Sequence, residues 1–350
     1  MKEKIVKTTT DYKWIRLWLV SVALLIIAMV IVGGLTRLTG SGLSMVEWKP
    51  ILGVMPPISE KEWLTSFNMY KAFPEYQKIN YNMQLAEFKK IYLWEYSHRL
   101  LGRLLGLAFA IPFFWFWMRN KLDSKLKKSL TIAFILGGGQ GLLGWYMVKS
   151  GLVNVPHVSH FRLAAHLGLA LFILSWLCWI WLGLFSSLSK LRVKGGSARF
   201  MAVSLMILIS LQIIWGAFTA GLDAGLGYNT FPTMNGYWFP PDLMRIQPLW
   251  SNFVSNPTTV QWVHRIFGIL VFLYTAIYFV KVLQDNGLKA AWSQFLLLLV
   301  VIGQVVLGIL TLVNMVPLHL ASMHQIGGCM VLLAGLLCCF RHFGGSEIHG

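Results

Sequence analysis

Eight long apolar runs, spread over 350 residues, constrain the fold of this chain more than any other feature. Each run is long enough for a helix that crosses the hydrocarbon core of a bilayer, which takes about 20 residues. Lipid offers the backbone no hydrogen-bonding partner, so continuous runs of this kind are helical. We place the spans at roughly 14–34, 94–118, 129–149, 160–184, 199–220, 259–282, 291–314 and 319–341. The sequence thus predicts an all-α polytopic membrane protein with eight transmembrane helices.

The basic residues predict how these helices are oriented. Lys and Arg cluster before the first span, after the second and after the fourth, whereas the short connections on the opposite side hold few. By the positive-inside rule both termini are cytoplasmic, N-in and C-in. The net charge of +17 therefore belongs to loops beside the lipid bilayer and predicts no nucleic-acid partner. The four cysteines form no Cys-x-x-Cys pattern, which argues against covalent haem attachment and structural zinc.

Two connections on the predicted outer side are long. Residues 35–93 contain an amphipathic segment near 59–90, which we interpret either as one or two short helices covering a site or as a solvated loop. Residues 221–258 are rich in Gly and Pro and predict an ordered, turn-rich loop in the corresponding place of a second unit.

The chain also repeats its polar landmarks in the same order. Three pairs of residues recur at offsets of 158 to 166: His98 with His264, Gln140 with Gln304, and His166 with His324. An even number of helices per unit keeps the second copy in the same orientation. The repeat therefore predicts two four-helix bundles, residues 1–190 and 191–350, related by a pseudo-twofold axis along the membrane normal. Chance similarity between apolar segments is the alternative, and the agreement in order argues against it.

Four histidines lie within about two turns of the outer ends of predicted spans: His98, His166, His264 and His324. Each bundle holds two of these imidazoles on different helices at one depth, which suits two axial ligands of a haem iron. A hydrogen-bonded structural role is the alternative for any single histidine. Zinc or copper would need further ligands, which the second bundle does not supply. Three arginines near the same surface would pair with haem propionates or extend to lipid headgroups: Arg99, Arg103 and Arg265.

The two bundles differ at one informative position. Glu95 precedes His98 by three residues and shares its helix face, whereas the same offset in the second bundle places Gln261, which cannot ionise. Glu95 is either a residue favoured near a helix start by the dipole, or a carboxylate that performs proton-coupled chemistry beside a haem iron. The asymmetry favours chemistry in the first bundle and a bound cofactor in the second.

Several stretches along nearly the whole chain resemble the haem A synthase family, in the form shared by mitochondria and many Gram-negative bacteria: 32–45, 48–50, 53–57, 95–99, 162–168, 263–265 and 324–325. The resemblance implies oxidation of the C8 methyl group of haem O to a formyl group by successive hydroxylations, giving haem A for cytochrome c oxidase. It also implies a bacterial inner (cytoplasmic) membrane protein with its haem sites near the extracytoplasmic side. Some family members carry a cysteine pair in the first outer loop, and residues 35–93 here contain no cysteine.

The same resemblance implies roles for the site residues. His98 and His166 would bind the iron of the substrate haem, Glu95 would be the catalytic carboxylate, and His264 and His324 would bind a haem b cofactor. The partners it implies are haem O, an electron donor of unknown identity, a haem O synthase and cytochrome oxidase assembly factors. The sequence is compatible with a monomer or an oligomer.

Three other functions fit parts of the pattern. A di-haem b-type electron-transfer cytochrome explains the four histidines but leaves Glu95 and the long outer loops without a role. A transporter with parallel repeats would favour helix breaks or charges near the bilayer midplane. A haem-handling assembly protein would bind haem O without oxidising it, and Glu95→Gln distinguishes that protein from a synthase.

Overall fold

The computed structural model describes residues 12–47, 55–152, 156–185 and 192–344. Eight of the described helices are long and apolar enough to cross a membrane, which confirms the predicted all-α fold with eight spans. These are α1 (Lys13–Leu38), α4 (Leu85–Met118), α5 (Ser124–Lys149), α6 (His160–Gly183), α7 (Gly196–Gly221), α9 (Pro257–Asn286), α10 (Leu288–Val313) and α11 (Leu318–Phe343). Three shorter helices, α2 (Glu60–Lys71), α3 (Pro74–Lys78) and α8 (Asn252–Ser255), belong to the connections.

Helix α4 begins nine residues before the predicted position 94. A capping box starts it, because Glu87 accepts a hydrogen bond from the Gln84 amide at 2.9 Å while the Gln84 side chain accepts one from the Glu87 amide. The first turns of α4 are amphipathic rather than apolar, so hydropathy alone did not include them. His98 consequently lies between three and four turns from the helix start, not within the predicted two.

Part of the first long connection forms a cap over one end of the bundle, which we call the loop end because the described residues 39–47, 55–84 and 222–256 lie there. The cap consists of residues 55–84, including α2 and α3. Four buried aromatic side chains join it to α4: Trp63, Phe67, Tyr70 and Phe88. The Phe67 and Phe88 rings are stacked with centroids 5.0 Å apart. The prediction of two short helices is confirmed, and the alternative of a solvated loop is wrong for these residues.

The same helices are neighbours in the two halves of the chain. Helix α1 packs on α4 as α7 packs on α9, and α5 packs on α6 as α10 packs on α11. One pair differs, because α4 and α5 contact each other over a short stretch whereas α9 and α10 pack along their length. This neighbour pattern is what the repeat predicts. The pseudo-twofold axis, the N-in/C-in orientation and the two domains stay predictions, and the boundary at 190/191 lies outside the described residues.

The two halves also pack against each other. Helices α1 and α6 contact α11, and α6 also contacts α7, through a continuous apolar core. Polar contacts also cross between the halves in the described part of the chain. The Gln325 amide donates to the Val30 carbonyl at 2.6 Å, and Arg37 pairs with Asp223 at 2.7 Å near the loop end. The bundle therefore encloses its interior from both halves.

Candidate functional site

A cavity of about 2110 Å³ lies inside the bundle and is lined by all eight long helices. Ligand pockets typically have volumes of about 300–1,000 Å³, so this cavity has room for more than one ligand of that size. The five residues predicted to form the site all line it: Glu95, His98, His166, His264 and His324. The structure thus brings together residues from both halves of the chain at one internal space.

A glycine on the preceding long helix faces each of the four histidines. A β-carbon added at any of these glycines would lie 2.8 to 3.1 Å from an imidazole atom, closer than ordinary van der Waals contact. The pairs are Gly33 with His98, Gly144 with His166, Gly216 with His264, and Gly308 with His324. The absence of a side chain at these positions is what allows each imidazole to lie between two helices at the cavity wall.

A glutamine lies one turn before three of these glycines, a spacing that could have been found in the sequence at 140/144, 212/216 and 304/308. The Gln140 and Gln304 amides donate to the backbone carbonyls of His166 and His324, each at 2.9 Å. These bonds tie each histidine-bearing helix to the helix before it. The repeat in the sequence pairs the two glutamines, but only the structure shows that each is bonded at a histidine position.

The geometry of the second histidine pair fits a metal held from both sides. The ring centroids of His264 and His324 lie 6.4 Å apart, with ring planes at 90°. Two imidazoles on one metal, with bonds of about 2 Å as in zinc sites and about 1.1 Å from nitrogen to ring centre, place their centres about 6 Å apart. His98 and His166 line the same cavity in the first half.

The set of ligands around the cavity favours haem over a bare metal ion. Within the described ranges, no group of three or more His, Cys, Asp or Glu side chains could hold a metal ion. Zinc and most copper sites need three or four protein ligands. A haem iron needs only two, because the macrocycle supplies the other four nitrogens. The imidazole pairs in this part of the chain therefore fit haem.

Glu95 is buried, with 3% of its surface exposed, and both of its oxygens have partners. Oε2 accepts hydrogen bonds from the Ser44 hydroxyl at 2.7 Å and the Met45 amide at 2.8 Å, and Oε1 pairs with Arg99 at 2.6 Å. A buried charge is tolerated when it is paired and hydrogen-bonded in this way. Gln261, its counterpart, instead donates its amide to a loop carbonyl at 2.9 Å. The two halves thus differ at this position in hydrogen bonding as well as in charge. The Glu95 carboxylate accepts hydrogen bonds, whereas the Gln261 amide donates one.

Two of the three arginines considered for haem propionates hold the connections at the loop end. Arg99 donates to two carbonyls of residues 45–47 at 2.8 and 3.1 Å. Arg265 donates to three carbonyls of residues 228–233 at 2.8 to 3.3 Å. All three arginines, Arg99, Arg103 and Arg265, also line the cavity.

The comparisons with known proteins identify the family of this chain. A sequence model of the COX15-CtaA family, described as cytochrome oxidase assembly proteins, matches residues 16–336. The chain belongs to this family. Its relatives include proteins named haem A synthase from Nitrosospira multiformis (45% identical over 337 residues, 93% of this chain and 94% of the relative) and Azorhizobium caulinodans (45% over 327 residues, 92% of each). A third, from Wolbachia pipientis wMel, is 42% identical over 335 residues, 95% of this chain and 94% of the relative. The resemblance seen in the sequence is confirmed.

Proposed function

We propose that this protein is a haem A synthase, which oxidises the C8 methyl group of haem O to a formyl group. Its family and its similarity to haem A synthases over more than nine-tenths of the chain support this activity. One structural observation carries the proposal. Two pairs of imidazoles face a single cavity, and a buried carboxylate lies one turn from the first pair where the second half has an amide.

The two pairs have different roles in this proposal. His98 and His166 bind the iron of the substrate haem O, and His264 and His324 bind a resident haem b. The short contact between α4 and α5 supports the division, because a substrate must enter and leave. The close packing of α9 on α10 suits a group that stays bound. When bound, haem b supplies one-electron transfer to or from the substrate site.

Glu95 provides a fixed negative charge beside the substrate. Arg99, Ser44 and the Met45 amide hold its carboxylate in one position, so it is oriented before the substrate binds. A charge fixed in a water-poor cavity stabilises positive charge that develops during removal of hydrogen from the C8 methyl. Gln261 gives the second pair no such charge.

The reaction also requires proton movement, whatever its oxygen source. With water as the source, formation of the formyl group consumes one water and releases four protons and four electrons to an electron acceptor. With dioxygen, it consumes two dioxygen molecules, four protons and four electrons, and yields three waters. In both cases four protons cross between the cavity and bulk water, so the cavity needs groups that exchange them.

The setting of the enzyme follows from the same proposal. The protein lies in the bacterial inner membrane with its loop end on the extracytoplasmic side, the side that the distribution of basic residues predicts. A haem O synthase supplies the substrate, and oxidase assembly factors receive haem A. The electron partner acts through the haem b site.

Glu95→Gln tests the proposal, with Glu87→Gln on the same helix as its matched control. Glutamine at 95 keeps an oxygen for the Ser44 and Met45 donors but has no charge, and glutamine at 87 keeps the capping box. Haems are extracted with acid from the detergent-purified proteins and separated by chromatography. We expect Glu95→Gln to lower oxidised haem about 10²–10³-fold at unchanged haem b content.

Other outcomes point to other functions. Unchanged haem A in Glu95→Gln would remove this residue from the mechanism. Two haem b groups per wild-type chain, with no haem O or product, would identify a di-haem electron-transfer cytochrome. A folded wild-type protein without haem would refute the proposal.

A further inference from the structure

A second buried carboxylate, Glu75, lines the same cavity and has no role in the function described so far. It lies in α3 of the cap, and only 7% of its surface is exposed. Nothing in the sequence distinguished it from the other acidic residues of the long polar connection. Acidic side chains are rarely buried without a specific partner, so its position requires an explanation.

The partners of Glu75 are neutral. The Tyr70 hydroxyl donates to Glu75 Oε2 at 2.9 Å, and the Asn80 amide donates to that hydroxyl at 2.8 Å. Tyr70 is fully buried in the aromatic cluster of the cap, which fixes the position of this chain of hydrogen bonds. Glu95, in contrast, has a guanidinium partner. Two other carboxylates that line the cavity, Glu95 and Asp223, are ion-paired with arginines, whereas Glu75 accepts its hydrogen bond from a neutral hydroxyl.

These surroundings make Glu75 a group that exchanges a proton near neutral pH. Burial raises the pKa of Glu75 to about 7, the Tyr70 hydrogen bond opposes this increase, and the negative charge of Glu95 adds to it. Other ionisable groups on the elements around it include Lys71 of α2, Tyr76 and Lys78 of α3, Tyr92 and Arg99 of α4, and Glu47 of the preceding connection. Lys71 extends over the Phe67 ring, and Arg99 pairs with Glu95. Two carboxyl groups in environments that differ in this way commonly divide acid–base roles between them.

We propose that Glu75 is the proton-relay residue of the substrate cavity, passing protons between the space beside Glu95 and the water at the loop end. This inference rests on the proposed haem O oxidation, which requires such proton movement. In each relay step the carboxyl group binds one proton on one side and releases it on the other, so Glu75 returns to its starting state. Glu95 stays paired with Arg99, and Glu75 carries the protons. The cap thereby has a chemical function as well as a covering one.

Three substitutions test the relay. Glu75→Gln keeps an acceptor for Tyr70 but cannot ionise, Glu75→Asp restores a carboxyl group, and Glu60→Gln is a control at an exposed position of the same cap. The rate of haem O conversion is measured in membranes from about pH 5.5 to 8.5. This range lies on both sides of the pH at which titration of Glu75 should change the rate. We expect the wild type and Glu60→Gln to show a step near neutral pH. Glu75→Gln should lose this step and at least tenfold of the rate at unchanged haem content, and Glu75→Asp should recover part of both.

Tyr70→Phe adds a test with a definite sign. The Tyr70 hydrogen bond holds the pKa of Glu75 lower than burial alone would, so its removal should move the pH step to higher pH. A wild-type rate and an unchanged pH step in Glu75→Gln would overturn the proposal. So would an unchanged or lower midpoint in Tyr70→Phe with the step otherwise intact.

A spectroscopic measurement separates this inference from the proposed function. Infrared titration of the purified holoprotein detects the protonated carboxyl band directly. A band that disappears near neutral pH in the wild type and is missing in Glu75→Gln supports proton exchange at Glu75, even if the wild type converts no haem O. If no such band is present, Glu75 does not exchange protons in this range and the proposal fails independently of the enzyme assay.

Discussion

Gly308→Ala tests whether the histidine ligands are positioned by the glycines that face them. A β-carbon at residue 308 would lie 2.8 Å from Cε1 of His324, so the imidazole must move several tenths of an ångström. Metal ligands must be held within about 0.5 Å of their working geometry, so this movement is enough to disturb ligation. Overpacking typically costs about 1–3 kcal/mol. If this cost destabilises the haem-bound protein and not the haem-free protein, haem b affinity falls by about 5- to 150-fold.

Gly303→Ala on the same helix is the control, because a β-carbon there meets open space. Both substitutions favour the helix by about 0.5–1 kcal/mol, so a weakened α10 cannot explain a selective loss. The assay is haem b per polypeptide after purification, together with the optical spectrum of the reduced and oxidised protein. Haem b content and spectrum identical to the wild type in Gly308→Ala would refute the argument that this close approach sets the position of His324.

Two further substitutions address the separate roles of the halves. Gly144→Ala places a β-carbon 2.9 Å from His166, so it should reduce bound haem O and its products at wild-type haem b content, unlike Gly139→Ala, which points into open space. Equal loss of both haems would contradict separate sites. Gln261→Glu should lower haem b content or protein stability without adding oxidation activity, measured by haem extraction and thermal unfolding. Additional oxidised haem in this variant would refute the proposed asymmetry.

The sequence predicted the eight helices because continuous apolar runs and their termini are local signals. It placed the start of α4 too late because the first turns of that helix carry Glu87, Lys89 and Lys90 beside the buried Phe88. These turns are stabilised by a capping box and by the aromatic cluster of the cap rather than by lipid. Hydropathy does not register either contribution.

The site was predictable where a residue type is unusual for its surroundings. Histidines and a glutamate inside apolar runs are such residues, and all five line one cavity, whereas their division into two haem sites stays a prediction. Glu75 was missed because an acidic residue in a polar connection is ordinary, and its burial becomes apparent only after the cap folds over α4. The facing glycines were missed for a related reason. Their significance depends on which helix lies opposite, and a sequence of many glycines does not specify that.

The two halves position their histidines in the same way and differ in the residues around them. Each histidine lies against a glycine of the preceding long helix, so this way of positioning the imidazole is common to both halves. The first half then presents donors to position 95, a hydroxyl, an amide and a guanidinium, which a carboxylate requires. The second half presents a carbonyl oxygen to position 261, which suits an amide and would repel a carboxylate. Under the proposed function, the loop that carries Ser44 and Met45 contributes to reactivity in the first half together with the glutamate, so moving the carboxylate without this loop should not transfer the chemistry.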